Sequence, residues 1–349
     1  MSSPSLQKAP LFQTARFRDR DELSALIQGG SSEFMQKAPG AFAGEFTFVG
    51  LDHGMIQFGD IDLPHLAGGV SQNNYFGVLF NLSAEPDWVW RGQSLDPHAL
   101  IAMAPRSDIQ MLMPAQTSWA FLSMEYEPLG QSLVALTGSD APLFEEGSRL
   151  LVPTADSHQA LRTRLGAVLA AVRRDPTLLE VPEARKGLEQ WVITSLARVL
   201  GSSLRVRPSH RSWNRARVAR SVEAFLDSAP IEQISLSDLC AVAGVSERTL
   251  RDVFQENYRM SPSQYLRMRR LHQVRRALGR ANADLQTVQS VANRHGIFHL
   301  GRFAADYRSL FNESPAETLR RPPGRDWGSA PTTSHGKARR SLPFLPRPN

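Results

Sequence analysis

Twice in its C-terminal third the chain writes the same local pattern: a short apolar helix, a glycine, and a second helix with apolar residues on its inner side. The first copy is SLSDLCAVAGVSERTLRDVF, residues 235 to 254. The second is LQTVQSVANRHGIFHLGRFAADYRSLF, in which Gly296 stands 52 residues after Gly244. In the first copy Ser235 or Ser237 caps a helix through Ala243, Gly244 turns the chain, and Ser246 caps a second helix to about Asn257. Leu239, Ala243, Val245, Leu250, Val253 and Phe254 then face inward, as two short, steeply crossing helices require. Close crossing demands a small side chain in the first helix and a residue that turns left-handed at no steric cost. Cys240 and Gly244 meet both needs in the first copy, Ala292 and Gly296 in the second. Cys240, the only cysteine, is therefore expected to be a buried spacer rather than a nucleophile.

Between the copies, SPSQYLRMRRLHQVRRALG starts with Ser261 as a cap and Pro262 at the first helical position, and has no breaker before Gly279. One long helix thus joins two heads. On the second helix of the first copy Glu247, Arg248 and Arg251 face outward, with the two arginines on one side. That geometry suits a helix whose N-terminal half enters the DNA major groove, where arginine pairs with guanine N7 and O6. Two such heads on one face of a duplex must stand about one turn, roughly 34 Å, apart.

The charge distribution points to the same polyanion. Residues 1 to 204 carry 15 Lys+Arg against 22 Asp+Glu, a balance of −7, whereas residues 205 to 349 carry 25 against 12, a balance of +13. Of those 25 cations 24 are arginine, the fork-shaped donor that suits phosphate and guanine. A solvated basic face is the plainer reading of charge alone.

The N-terminal part reads differently. From Ala43 to about Tyr126, short runs such as EFTFVG, MIQFGD, YFGVLFNL, DWVWRG and SWAFLSMEY alternate with turn formers, which predicts an all-β sandwich or barrel. Asp19 to Gln36 is expected to be helical. Two amphipathic helices follow, one with Leu161, Leu165, Val168, Leu169 and Val172 on one stripe, the other with Leu188, Trp191, Val192, Leu196 and Val199. These stripes pack on their own barrel or form a dimer interface. The expected organisation is α+β with two domains. Residues 1–200 form a cupin-like β-barrel or sandwich (about 43–130) with flanking helices (about 157–200), and 201–213 a polar linker. Residues 214–321 form an all-α domain, with helix pairs at about 236–257 and 287–310 and a joining helix at 262–278; 322–349 form a disordered tail.

The quoted residues of 214–320 resemble the AraC/XylS family of bacterial transcription regulators, covering both helix-turn-helix units, the linker helix and the closing signature. The resemblance implies that Arg248 and Arg251 occupy base-reading positions of the first recognition helix, joined by Glu247, and that His299 and Arg302 stand near those of the second. It also matches Arg270 to the linker-helix arginine; Ser246, Arg259, Arg267, Arg270 and Arg308 are expected to hold or position phosphates. There are departures: Ile297 replaces a phenylalanine, Asn312 a glycine, and Ala305 lacks the long side chain that often reads DNA. The second head is therefore expected to contribute phosphate contacts and shape readout more than base code. SSEFMQKAPGAFAGEFTFVGL and WRGQSLDPHALIAMAP are similar to the barrel domain of the subgroup that includes the ethanolamine-responsive regulator, which implies an effector site and dimerisation. Trp88, Trp90, Trp119, Tyr75 and Phe76 would line such a pocket or simply fill the core.

The resulting expectation is a cytoplasmic, effector-responsive transcription regulator, an activator of a catabolic or adaptive operon. Its expected partners are double-stranded DNA, RNA polymerase, a small-molecule effector and a second copy of itself, with no membrane and no cofactor. The alternative is an architectural DNA-binding protein or a repressor that senses no small molecule. Enzymes are disfavoured. His53, His65 and His98 are scattered, with no His-x-His pair for a metal, and the N-terminal half has no cysteine to accept an alkyl group from damaged DNA. No apolar run approaches the roughly 20 residues that span a bilayer, and the N-terminus has no secretory core.

Overall fold

The computed structural model describes residues 10–72, 74–83, 87–138, 146–202, 204–205 and 210–321. The chain opens with β1 (Phe12–Phe17), α1 (Arg20–Leu26) and β2 (Gly30–Gln36), then runs through β3 (Gly44–Gly50), β4 (Gly54–Ile61), β5 (His65–Ser71) and β6 (Tyr75–Asn81). After β7 (Val89–Trp90), β8 (Gln93–Ser94), β9 (Leu100–Met103), β10 (Asp108–Met113) and β11 (Thr117–Glu125) come α2 (Tyr126–Thr137) and β12 (Ser148–Val152). The rest is helical apart from β13 (Leu204–Arg205): α3 (Ala155–Arg174) and α4 (Pro182–Ser202) precede it and α5 (His210–Ser228) follows. Then come α6 (Leu236–Ala243), α7 (Glu247–Tyr258), α8 (Pro262–Arg280), α9 (Val288–Arg294), α10 (Leu300–Phe311) and α11 (Pro315–Arg320).

The strands form two antiparallel sheets, a large one in the order β1-β3-β4-β11-β6-β9-β12-β13 and a small one in the order β2-β5-β10-β7-β8. Both sheets are covered on both faces, which explains why the strand sequences alternate only partly between apolar and polar residues. In β11, Ala120 and Leu122 face the helices α2, α3 and α4, while Trp119 and Phe121 face the small sheet. The small sheet repeats the arrangement one layer on. Cross-strand partners Phe34, Ala67, Met111 and Trp90 face the large sheet. The next row, Met35, Leu66, Leu112 and Val89, joins the core of α5, α6, α7 and α8. A separate small core holds α9, α10 and α11 against the C-terminal half of α8.

Several expectations change. Asp19 to Gln36 is not one helix: Gly29 adopts φ 83°, α1 ends at Leu26, and β2 pairs along its whole length with β5. Strands extend beyond 43–130 on both sides. The stripes of α3 and α4 pack on the large sheet, since Leu161, Leu165, Leu169, Val192, Leu196 and Val199 all belong to its outer core. Those buried residues are therefore not free to form a dimer interface. Within the expected linker 201–213, α4 reaches Ser202, β13 pairs with β12 and α5 begins at His210; residues 203 and 206–209 lie outside the described residues, as does the tail 322–349.

Polar contacts seam the small sheet to the helices across more than 200 positions of sequence. Arg20, 2% exposed, donates from its two terminal nitrogens to the carbonyls of Phe34 at 2.9 Å and His272 at 2.8 Å. His272 Nε2 donates to the Gln36 carbonyl at 3.0 Å. The strand end then reaches both helix pairs: Lys37 Nζ donates to the Tyr258 carbonyl at 2.6 Å, and Gln36 Nε2 to the Leu310 carbonyl at 2.7 Å. These are carbonyls of the last turns of α7 and α10, which have no partner inside their own helices. Arg276 pairs with Asp21 and Glu33, and Arg275 with Asp19 and Glu313.

Candidate nucleic-acid interface and effector cavity

The first head is built by local rules. Ser235 and Asp238 form a capping box at the start of α6, Gly244 ends it with φ 63°, and Ser246 caps α7 by accepting from the Thr249 N–H. Leu250, Val253, Phe254 and Tyr258 are buried, so the opposite side of α7, with Arg248, Arg251, Asp252 and Gln255, faces out. Glu247 forms an i,i+4 ion pair with Arg251, and both side chains are about half exposed or more. Exposed pairs of this kind contribute under about 1 kcal/mol, so the arginine is readily released to a better acceptor. Beneath this face Tyr258, Tyr265 and Arg269 all donate to the carboxylate of Glu223, at 2.8, 2.7 and 2.9 Å. Burial, then the Glu223 charge, holds both phenols well above the usual tyrosine range, so they remain donors.

The two heads match, with one insertion. Val245 N–H donates to the Cys240 carbonyl and Ile297 N–H to the Ala292 carbonyl, both at 3.1 Å, so the turns correspond with a spacing of 52. The second helices end alike, at Arg259 and Asn312, both left-handed at φ 54°, but these are 53 residues apart. Buried Leu250, Phe254 and Tyr258 likewise correspond to Phe303, Tyr307 and Phe311. One extra residue therefore lies between the turn and the helix of the second head. In consequence the outward positions Arg248, Arg251, Asp252 and Gln255 correspond to Gly301, Ala304, Ala305 and Arg308. His299 is the exposed residue before α10, and exposed Arg302 flanks the outward face instead of lying on it.

Cys240 is less buried than expected. It lies half-buried at the rim of the first core, whereas Ala292 is wholly buried, because α9 is pinned against α8 and α11 while one side of α6 faces solvent. Its thiol is still pushed up, by burial and by Glu247, so the sulfur is not activated. Gly296 is tighter than Gly244: a Cβ there would come within 2.6 Å of Glu232 Cβ, and nothing crowds Gly244.

Of the expected phosphate holders, Ser246 and Arg308 are exposed at the surface of their heads. Arg267 is paired with Asp306 across α8 and α10, and Arg259 reaches Ser94 Oγ at 3.3 Å. Arg270 is redirected. Its guanidinium donates to the carbonyls of Ile231, at 2.9 Å, and Ile234, at 3.2 Å, so its fork is occupied inside the protein by the end of the turn preceding α6. Sequence reasoning missed Lys37, Arg20, Arg275 and Arg276, whose partners lie far away in sequence. It also missed Phe298, which the repeat pattern signals as the residue in excess.

Between the two sheets lies an apolar cavity of about 680 Å³ including its mouth. Phe34, Ala67, Met111, Met113, Trp119 and Phe121 are among its walls, and among the described residues no charged one lines it. Its polar side chains are uncharged: Gln28, Ser31, Ser71, Gln57, whose amide exchanges two hydrogen bonds with the Gln28 main chain, and the buried Ser32 Oγ and Trp119 Nε1, which find no hydrogen-bond partner among the described residues. Of the aromatic residues singled out in the sequence, Trp119 lines this cavity, Trp88 and Trp90 fill the core between the sheets, Phe76 lies on the helix-covered side, and Tyr75 packs at the inner edge. The histidines stay apart. His53 faces Glu125, His65 packs between Phe34 and Phe42, and His98 meets His158.

A family model described as a helix-turn-helix domain matches residues 239–321. The chain is 32% identical over 158 residues to the XylDLEGF operon transcriptional activator 1 of Pseudomonas putida, covering 45% of this chain and 46% of that one. It is also 32% identical over 157 residues to the probable thc operon regulatory protein of Rhodococcus erythropolis, covering 42% and 46%. Among solved structures, a probable AraC family transcriptional regulator from Rhodopseudomonas palustris is 33% identical, covering 30% of this chain and 95% of that one, with a TM-score of 0.27. The chain spans about half the length of the curated relatives it matches, and those relatives are regulators rather than enzymes. With its paired heads and their shared helix, the C-terminal region, matched over residues 239–321, is similar to the helix-turn-helix part of AraC/XylS-type transcription regulators.

Proposed function

We propose that the protein is an effector-responsive activator that reads DNA with two heads and senses an uncharged, largely apolar small molecule in the cavity between its sheets. The observation that carries the reading is that the small sheet is a single wall shared by the cavity and the reading domain. Phe34, Ala67 and Met111 face the cavity; their strand neighbours Met35, Leu66 and Leu112 face the helices that carry the heads. Side chains of successive residues leave opposite faces of a strand, so a ligand that shifts one row displaces the other. The same wall ends in Gln36 and Lys37, which hold the last turns of α7 and α10. A ligand that prefers one arrangement of these contacts shifts the population of protomers whose two heads reach DNA together.

On this reading Arg248 and Arg251 are the base readers of the first head, with Glu247 releasing Arg251 on binding. Ser246, Arg308 and, once released from Asp306, Arg267 contact phosphate, His299 and Arg302 lie at the entry of the second head, and Arg270 is structural. Residues 1–200 sense and dimerise, through surfaces other than the stripes of α3 and α4, and the domain from α5 to residue 321 binds DNA and meets RNA polymerase in the cytoplasm. The cavity calls for a ligand without a carboxylate or ammonium, because burying an unpaired charge there would cost several kcal/mol or more. The test is selection of DNA fragments by the full chain, with and without a panel of uncharged aromatic and aliphatic compounds. An enriched motif whose occupancy changes with a compound, and no longer changes in Ala67→Trp, is expected. Selection without any motif would favour an architectural protein, and a motif indifferent to every compound would favour a repressor that senses no small molecule.

A further inference from the structure

The second head has a face unlike the first. Where the first head presents Arg248, Arg251, Asp252 and Gln255, the second presents Gly301, Ala304, Ala305 and then Arg308, and it offers no hydrogen-bonding side chain in its first two turns at those positions. At its entry stands Phe298, 74% exposed and part of none of the apolar cores. Leaving a phenylalanine ring in water forgoes the free energy that its burial would supply. It stands in the short loop that leads into the reading helix, beside exposed His299 and one turn from exposed Arg302.

In the major groove the apolar feature that distinguishes one base pair from another is the C5-methyl group of thymine, and alanine and phenylalanine are side chains that recognise it by contact. A helix faced with glycine and alanine also approaches the base edges more closely than one carrying arginines. We propose that the second head reads thymines through their methyl groups, using Phe298, Ala304 and Ala305, while Arg302 and Arg308 hold the flanking phosphates. The operator is then of two kinds, a guanine-bearing half-site for the first head and a thymine-bearing half-site for the second. The proposal rests on the DNA-reading function above and adds the chemical basis of one half of its code.

The test uses the full chain and the operator it selects from random duplex DNA. Arg248→Ala identifies the first head's half-site, because base preference relaxes there alone. Thymines in the other half-site are then replaced singly by deoxyuridine, which removes the methyl and leaves the pairing unchanged. Loss of each contacted methyl is expected to raise Kd about fourfold, the transfer free energy of one buried methylene. In Phe298→Ala, an exposed substitution that leaves the fold intact, at least one of these sensitivities disappears while the Arg248-dependent preference remains. An enriched operator whose Kd is unchanged by deoxyuridine throughout that half-site overturns this proposal alone. A library from which nothing is enriched overturns the DNA-reading proposal and this one with it.

Discussion

Acidification should destabilise the seam between the small sheet and α8, and His272 is the residue that makes it do so. The ring is 2% exposed, its Nε2 donates to the Gln36 carbonyl at 3.0 Å, and its Nδ1 has no hydrogen-bond partner among the described residues. Burial, then the neighbouring Arg20 charge, holds its pKa well below 6.5, and Arg275 and Arg276 act in the same direction. The carboxylates of Asp19, Asp21, Glu33 and Glu313 are engaged with those arginines, not with the ring. The folded protein therefore keeps His272 neutral where the unfolded chain takes up a proton. Below a pH of about 6.5 the unfolded state binds more protons, so stability is complete above that value and falls as pH falls. Between about pH 7.5 and 5.5 an unfolded histidine of pKa about 6.5 gains about 1.4 kcal/mol from protonation that the folded one does not. His272→Gln retains a donor for the Gln36 carbonyl and removes the titration. Urea unfolding across that window should show the parent losing about 1.4 kcal/mol more than the variant. His65, whose pKa burial lowers to about 4, and Asp60, whose pKa burial raises to about 6, titrate in both proteins and cancel in the difference. Parallel pH dependences in the two proteins would refute a buried neutral His272.

Arg248→Ala should cost about 1 to 3 kcal/mol at the selected operator and relax preference at one base pair, as read by competition binding; equal losses on operator and random DNA would remove its base-reading role. Ala292→Phe should abolish DNA binding and lower stability by about 1 to 3 kcal/mol or more, because nothing around a fully buried alanine can yield to a ring, whereas Cys240→Phe at the rim should cost far less; equal thermal shifts would contradict the difference in burial. Leu112→Asp, which buries an unpaired carboxylate against the helical domain, should part the two domains, seen as new proteolytic cleavage near residues 203–209. A protected Leu112→Asp protein would mean that the shared wall does not hold them.

Much of the reading domain was written locally. Ser235, Ser246, Ser261 and Ser314 act as caps, Pro262 and Pro315 open helices, and left-handed Gly244, Arg259 and Asn312 close α6, α7 and α10, so the helix boundaries from residue 236 onward fall within a few residues of those expected. These signals are legible because each is decided by hydrogen bonds within about four residues. The one-residue insertion in the second head was missed, although a comparison of the two apolar patterns carries its signal. The strand content of the N-terminal part was also legible, but not which face of each strand meets what.

By itself, then, the sequence determined the repeated helix pairs, the arginine-rich half and the β-rich half, because capping, periodicity and charge act over short distances or by summation. Only the tertiary structure decided that Arg270 serves the fold, that Glu247 holds Arg251, and that the stripes of α3 and α4 close over the protein's own sheet. It alone decided that residues 34 to 37 touch both the cavity and the ends of the reading helices. Such contacts join residues as far apart as Arg20 and His272, and a pairing across 252 positions is fixed by packing between layers, for which no local pattern in the chain stands as a sign.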